Sequence, residues 1–127
     1  MVADLDSSLD AGDTNVVPVT GTTTIASSTS EQTLLEITPS SVTTEIQNIW
    51  LDVNALTQTF SIKAYSKVDG TTYRELYYMR LTNVSASVAA LVLKDITINS
   101  DFKITIQSGT AEGATRDIPY RYFKEEY

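Results

Sequence analysis

The side chains that most often do chemistry in proteins are missing from this chain. With no His and no Cys among 127 residues, it lacks the commonest general base, the commonest transition-metal ligand and the thiolate nucleophile. Neither a Ser-His-Asp nor a Cys-His arrangement can be assembled, and neither a disulfide nor a thiolate zinc site can form. No GxGxxG run and no phosphate-binding GxxxxGKS or GxxxxGKT run is present. Carboxylates remain. Asp52, Glu75, Asp95 and Asp117 lie in or beside strand-like runs, and a glycosidase-type pair would need two of them to face each other across a cleft. Solvated surface charge is the simpler role for all four. Ser–Lys catalysis would need a buried lysine, and the Lys and Arg residues of the strand-like runs fall on polar faces. The expectation is a protein that is not an enzyme, with no catalytic residue and no cofactor.

Asp4, Asp6, Asp10 and Asp13 invite a calcium reading. An EF-hand loop places oxygen ligands at alternate positions and Gly at the sixth. Counted from Asp4 the sixth residue is Leu9, and Gly12 comes too late. A solvated acidic segment without metal is the expectation.

Aromatic and basic residues are more informative. Trp50, Tyr65, Tyr73, Arg74, Tyr78, Arg80, Tyr120, Arg121 and Tyr122 cluster on the middle and last parts of the chain. Tyrosine with interleaved arginine is the composition of a contact surface, since both types are enriched at binding hot spots. The competing reading is that the phenols ring the edge of the core and bond to backbone. The same rings could stack on sugars, which leaves a carbohydrate-binding or adhesion module using Trp50 and the surface tyrosines as the alternative function.

The overall charge bears on partners. A formal charge of −7 and a pI near 4.4 disfavour nucleic acid, whose binding needs clustered Lys and Arg. No run approaches the roughly eighteen apolar residues of a membrane span. The N-terminus has neither a basic start nor an apolar core, so no signal peptide is expected.

The elements that would position these residues read as strands. Ser and Thr make up roughly a quarter of the chain, and no window of helical length is rich in helix formers. Residues 1–14 carry four aspartates, no basic residue and no aromatic; too apolar-poor to order themselves, they read as an arm that is flexible or docks on a neighbouring subunit. Residues 15–127 read as a single domain. Within it, residues 15–28 suggest two short strands with a turn at Thr20-Gly21, and Pro18 points to a sheet edge. Gln32 to Thr38 is a strand closed by a turn at Pro39, Ser40 and Ser41. In residues 44–53, Ile49, Leu51 and Val53 share one face and Trp50 lies with Asn48 and Asp52 on the other. Ile46 is out of phase with Ile49, which predicts a bulge near Asn48. Trp50 reads as a core or subunit-interface aromatic.

Residues 58–81 form the centre of the pattern. Phe60, Ile62 and Ala64 alternate with Ser61, Lys63 and Tyr65. Asp69-Gly70 is a hairpin signal. Tyr73, Tyr77, Met79 and Leu81 then share a face, with Arg74, Leu76, Tyr78 and Arg80 on the other. A turn at Thr82-Asn83 follows, then one bent strand or two short ones over residues 84–99, because Val88, Val92, Ile96, Thr97 and Ile98 are β-branched. In residues 102–108, Phe102, Ile104 and Ile106 point in and Lys103, Thr105 and Gln107 out. A loop spans 109–113. The last strand, residues 116–123, turns Ile118, Tyr120 and Tyr122 to one face and Arg121 to the other; Pro119 implies an edge or bulge, and residues 124–127 a solvated tail. Short strands at this spacing predict an all-β, antiparallel β-sandwich, jelly-roll-like or Ig-like.

The run KVDGTTYRE, with LKDITINSDFKITIQS and AEGATRDIPYRYFKEE after it, resembles small virion-associated β-sandwich proteins encoded among the structural genes of tailed phages and related archaeal viruses. The likeness spans about two-thirds of the chain, residues 46–126, and is one of β segments and turns. It implies a capsid decoration or tail-associated protein found in the virion, made in the host cytoplasm, self-associating and bound to capsid or tail subunits. No functional residue is carried over by it.

Overall fold

The computed structural model describes residues 16–39, 43–84 and 90–126. Residues 1–15, 40–42, 85–89 and 127 lie outside this part, and with them the expected arm and most of the turn after Pro39. The described strands are β1 (Val16–Ile25), β2 (Gln32–Ile37), β3 (Thr44–Asp52), β4 (Phe60–Ser66), β5 (Arg74–Glu75), β6 (Leu81–Val84), β7 (Ala90–Leu93), β8 (Ile96–Ile98), β9 (Phe102–Ser108) and β10 (Arg116–Glu126). They form two sheets. The front sheet has the order β2-β9-β4-β5, with β6 also paired to β4; the back sheet has the order β1-β10-β3-β7, with β8 also paired to β3. Every pairing is antiparallel. The protein is an all-β, jelly-roll-like sandwich.

Alternation decides which residues meet between the sheets. On β4, Phe60, Ile62 and Ala64 are buried while Ser61, Lys63 and Tyr65 are half-buried on the outer face. On β9, Phe102, Ile104 and Ile106 are buried against them, and from the back sheet Ile25, Ile46, Ile49, Leu51 and Ile118 close the core. Thr105, expected to face outward into solvent, is only 3% exposed. It does lie on the outer side of β9, but its hydroxyl donates to Glu31 at 2.6 Å, and that contact takes it out of water.

The predicted bulge is present and organises the back sheet. Arg121 pairs with Trp50 and Phe123 with Gln47, so Asn48 and Ile49 together oppose Tyr122. Asn48 takes φ 42°, a left-handed conformation that Asn tolerates better than most residues. The extra residue lets both Ile46 and Ile49 point inward, each fully buried. On the other side of β3 the neighbouring strand breaks at the same level: β8 pairs with Thr44 to Ile46 and β7 with Ile49 to Asp52. From that break the Asp95 carboxylate accepts the Asn48 N–H at 2.9 Å, so two short strands rather than one bent strand flank the bulge. Asn48→Val is therefore expected to cost about 1–2 kcal/mol in urea unfolding, and Asn48→Gly almost nothing, because a β-branched side chain resists positive φ. A Val variant as stable as the parent would mean that the bulge relaxes freely.

A second bulge was not legible in the sequence. Ile104 pairs with Leu35 but Thr105 with Thr33, which leaves Leu34 as an extra residue in β2. Leu34 and Leu35 are consequently both buried. The Leu34 carbonyl accepts the Thr23 hydroxyl at 2.5 Å, a bond that ties β1 of the back sheet to β2 of the front sheet along one side of the sandwich.

Several expectations are corrected. Thr20-Gly21 is not a turn but the middle of the continuous strand β1. Gly21 leaves room there for Tyr120, its partner across the ladder: a Cβ would stand 2.5 Å from the phenol oxygen and force the ring to shift. Pro18 does lie on an edge strand, β1. Pro119, however, sits in the interior strand β10, and is tolerated because pairing with β3 ends one residue away, at Tyr120. Residues 124–126 are not a free tail; they extend β10, with Lys124 and Glu125 paired to both β1 and β3 and Glu126 to β3.

The hairpin after β4 also differs. Gly70 has φ 84° as a turn glycine should, its N–H bonds the Lys67 carbonyl at 2.9 Å, and Asp69 accepts the N–H groups of Thr71 and Thr72. The return strand is only two residues long, followed by a 3-10 turn at Tyr77–Met79. In such a turn residues three apart lie together, so Leu76 and Met79 face the core and Tyr77 is expelled to solvent instead of sharing Met79's face. Thr82 and Asn83 are part of β6 rather than a turn.

Candidate functional site

The expected contact residues fall into three places. Tyr65 (β4) and Tyr73 (just before β5) lie on the outer face of the front sheet. The Tyr65 hydroxyl donates to Glu31 at 2.5 Å and the Tyr73 hydroxyl to Glu36 at 2.8 Å. The Lys103 ammonium stands 4.4 Å from the Tyr73 ring centre and 5.3 Å from that of Tyr65, with Lys67 at 4.9 Å from Tyr73. Burial and then the bonds to Glu31 and Glu36 push both phenols up to about 12. At neutral pH they are therefore neutral donors with no nucleophilic or basic character. Burial pushes the Glu31 carboxyl up, but hydrogen bonds from Thr105 and Tyr65 and the charges of Lys63 and Lys103 outweigh it and hold the group below its usual value. On this face the Tyr65, Tyr73 and Thr105 hydroxyls are taken up by Glu31 and Glu36. The phenols bond to carboxylates rather than to backbone.

Trp50, Tyr120 and Arg121 come together on the back sheet. The ladder sets Arg121 of β10 beside Trp50 of β3, and Trp50 beside Val92 of β7. Trp50 is 48% exposed and Val92 52%, so Trp50 is not a core residue within this chain. The Arg121 guanidinium lies 5.8 Å from the Phe123 ring centre. Around Trp50 opens a groove of about 590 Å3, whose walls include Thr20, Asp52, Asn54, Ala90, Pro119 and Arg121, with Gly21 and Tyr120 also contributing. Tyr120 stacks on Tyr122, ring centres 6.4 Å apart. Tyr122 itself is 6% exposed; it is a core residue and is withdrawn from the contact surface, because the inward side of β10 carries it between the sheets. Burial, and secondarily Tyr120, raises its phenol above the ordinary range. Asp52 and Asn54 were missed as groove residues. Their signal was the period-two step from Trp50, which places Asp52 on the same face.

The third place is the connection 67–80. Arg74 pairs loosely with Asp69 at 3.7 Å and Arg80 with Glu75 at 3.4 Å. Between them Tyr77 is 87% exposed, and Val68 at the start of the connection 74%. Tyr78 belongs to the same 3-10 turn, and its side chain lies outside the described part. Tyr77 was missed as a contact residue because alternation placed it on one face with Met79 and Leu81; the i, i+3 spacing of Leu76 and Met79 was the available clue.

The carboxylates considered for catalysis each serve a local structural contact. Asp95 caps the bulge, Asp52 accepts the Asn54 N–H at 3.0 Å, Asp117 accepts the Thr24 hydroxyl and Glu75 holds Arg80. Among the described residues no group of three or more acidic side chains could hold a metal, and no helix is long and apolar enough to cross a membrane.

The fold defines the class, a jelly-roll-like β-sandwich with two chemically different outer faces. No protein-family model matches the chain, and no curated protein matches it by sequence. Among solved structures it is similar to the capsid of the Helicobacter pylori bacteriophage KHP30, with 18% identity and a TM-score of 0.54 over 86% of this chain and 87% of that one. It is also similar to VP2 of infectious bursal disease virus, at 12% identity and a TM-score of 0.49, where the match covers 87% of this chain but 31% of VP2. A Bacillus endospore appendage protein matches at 14% identity and a TM-score of 0.46, over 88% of each chain. The fold is thus one also found in a phage capsid.

Proposed function

We propose that this chain is a non-enzymatic structural protein of a virus particle, self-associating and binding a capsid or tail lattice that it strengthens. The observation that carries this reading is the 67–80 connection. Tyr77 stands almost fully in solvent there, with Val68, Arg74 and Arg80 exposed on the same connection, on a fold shared with a phage capsid protein. Tyr and Arg are the residue types that dominate interface hot spots, and an exposed aromatic on a short, hydrogen-bonded turn loses little entropy on docking. Residues 1–14, with four aspartates and no basic residue, supply an arm that would reach a neighbouring subunit.

Light scattering on the purified chain, with and without residues 1–14, tests the reading. A defined oligomer is expected, weakened by truncation and weakened about tenfold or more by Tyr77→Ser, with an unchanged thermal midpoint. A monomer that also failed to co-sediment with particles would sink the proposal, as would turnover of a substrate by the purified protein.

A further inference from the structure

The groove around Trp50 belongs to the back sheet, whereas the 67–80 connection departs from the front sheet, so its role is independent of the assembly reading. We propose that it binds a saccharide: one neutral pyranose ring of a glycan stacks on Trp50, while Arg121, Asp52, Asn54 and Thr20 hydrogen-bond its hydroxyls.

Three features lead there. First, Trp50 is a large flat aromatic held on a strand between Arg121 and Val92 and half open to water. An exposed indole on a rigid sheet offers the planar apolar face that the C–H face of a sugar ring covers, with the entropy of the platform already lost. Second, the polar groups around it are the ones a polyol needs. Arg121 is donor only, the Asp52 carboxylate is acceptor only, and Asn54 and Thr20 provide both. One Asp52 oxygen accepts the Asn54 N–H, which fixes the carboxylate in place. Most of the exposed groove wall is apolar, so the C–H face of the ring on Trp50 would make the larger part of the contact and these few polar groups would fix its orientation. Third, charge selects among sugars. Arg121 and Asp52 cancel within the groove, and a chain of net charge −7 repels polyanions, so a neutral glycan is favoured over an acidic one or a nucleic acid. A volume of about 590 Å3 lies within the range of small-ligand sites.

Trp50 is the only tryptophan in the chain, so its fluorescence reports on this groove alone. The full chain would be titrated with maltotriose, cellotriose, mannotriose and galactotriose and applied to a glycan array. At least one neutral glycan is expected to give a saturable change in emission and a positive array signal. Trp50→Ala should weaken array binding by about tenfold or more, and Asp52→Asn by about tenfold, both at unchanged thermal midpoint. Tyr77→Ser should leave sugar binding intact while altering the mass of the assembly, so the two readings fail separately. A blank array with flat titrations overturns the proposal. So does binding that survives Trp50→Ala, or binding confined to acidic glycans or to virion proteins.

Discussion

Phe102→Ala is expected to lower stability by about 3–5 kcal/mol, the largest effect of any single truncation considered. Phe102 is fully buried and opens β9, which lies between β2 and β4; there it pairs with Ile37 on one side and Ser66 on the other. Removing the ring forfeits its transfer free energy and leaves a void between two sheets whose hydrogen-bonded ladders cannot close around it. For a domain of this size the loss corresponds to a fall in Tm of roughly 10–20 °C. Phe123 is the internal control. It is an aromatic of the same type on β10, but half-buried on the outer side, and Phe123→Ala is expected to cost about 1 kcal/mol. Equal losses at the two positions in thermal unfolding would contradict the assignment of inner and outer faces.

Glu112→Ala is expected to cost about 3 kcal/mol, an effect out of proportion to a loop residue. The Glu112 side chain is fully buried. Its carboxylate accepts the Thr57 N–H at 2.9 Å, the Thr57 hydroxyl at 2.8 Å and the Gln58 N–H at 3.0 Å. Arg116 closes the set, its Nε donating to the same carboxylate at 3.1 Å and its Nη2 to the Glu112 carbonyl at 3.3 Å. The 109–113 loop is thereby fastened to the segment that leads into β4. Truncation would leave the Thr57 and Gln58 N–H groups and the Arg116 Nε without their acceptor, while the Arg116 Nη2 bond to the backbone carbonyl survives; each buried unsatisfied donor costs about 1–3 kcal/mol. Arg116 is partly exposed, so water recovers part of its share and keeps the figure below that of a fully buried pair.

Glu112 also sets a pH dependence. Burial pushes its carboxyl up, but the bonds from Thr57, Gln58 and Arg116 outweigh burial and hold the group below the ordinary value of 4.5. A depressed folded value means that the unfolded chain takes up the proton first. The stabilisation is full above about pH 4.5 and is lost as pH falls through the lower folded value. Glu31 acts in the same direction. Urea midpoints measured between neutral and acid pH should show a steeper acid limb in the parent than in Glu112→Gln. Parallel curves would rule out Glu112 as a source of the acid sensitivity.

Much of this was legible in the sequence because it is local. The β-branched runs and their period of two placed Phe60, Ile62, Ala64, Phe102, Ile104 and Ile106 in the core, since successive strand side chains must point to opposite faces. The phase slip between Ile46 and Ile49 announced a bulge, because two residues an odd number apart can share a face only if the ladder takes in an extra one. The absence of His and Cys is a property of composition alone, and it withdrew whole classes of catalysis before any fold was known.

Other features depended on partners distant in sequence, and only the tertiary structure decided them. Gly21 looked like a turn because its reason lies 99 positions away, in the Tyr120 phenol that occupies the space of its missing Cβ. Leu34 could not be recognised as a bulge until β9 was laid against β2. Pro119 was read as marking an edge or a bulge because a proline says that an N–H is missing, but not on which side of the strand no partner needs it. Trp50, Asp52 and Arg121 meet on one face through the pairing of β3 with β10, and Glu112 became a structural carboxylate because its donors come from residues 57 and 58. Periodicity in one chain fixes which way a side chain points relative to its own strand; which residue it then meets is set by register and by sheet-on-sheet packing, and those arise from the simultaneous burial of every strand's apolar face.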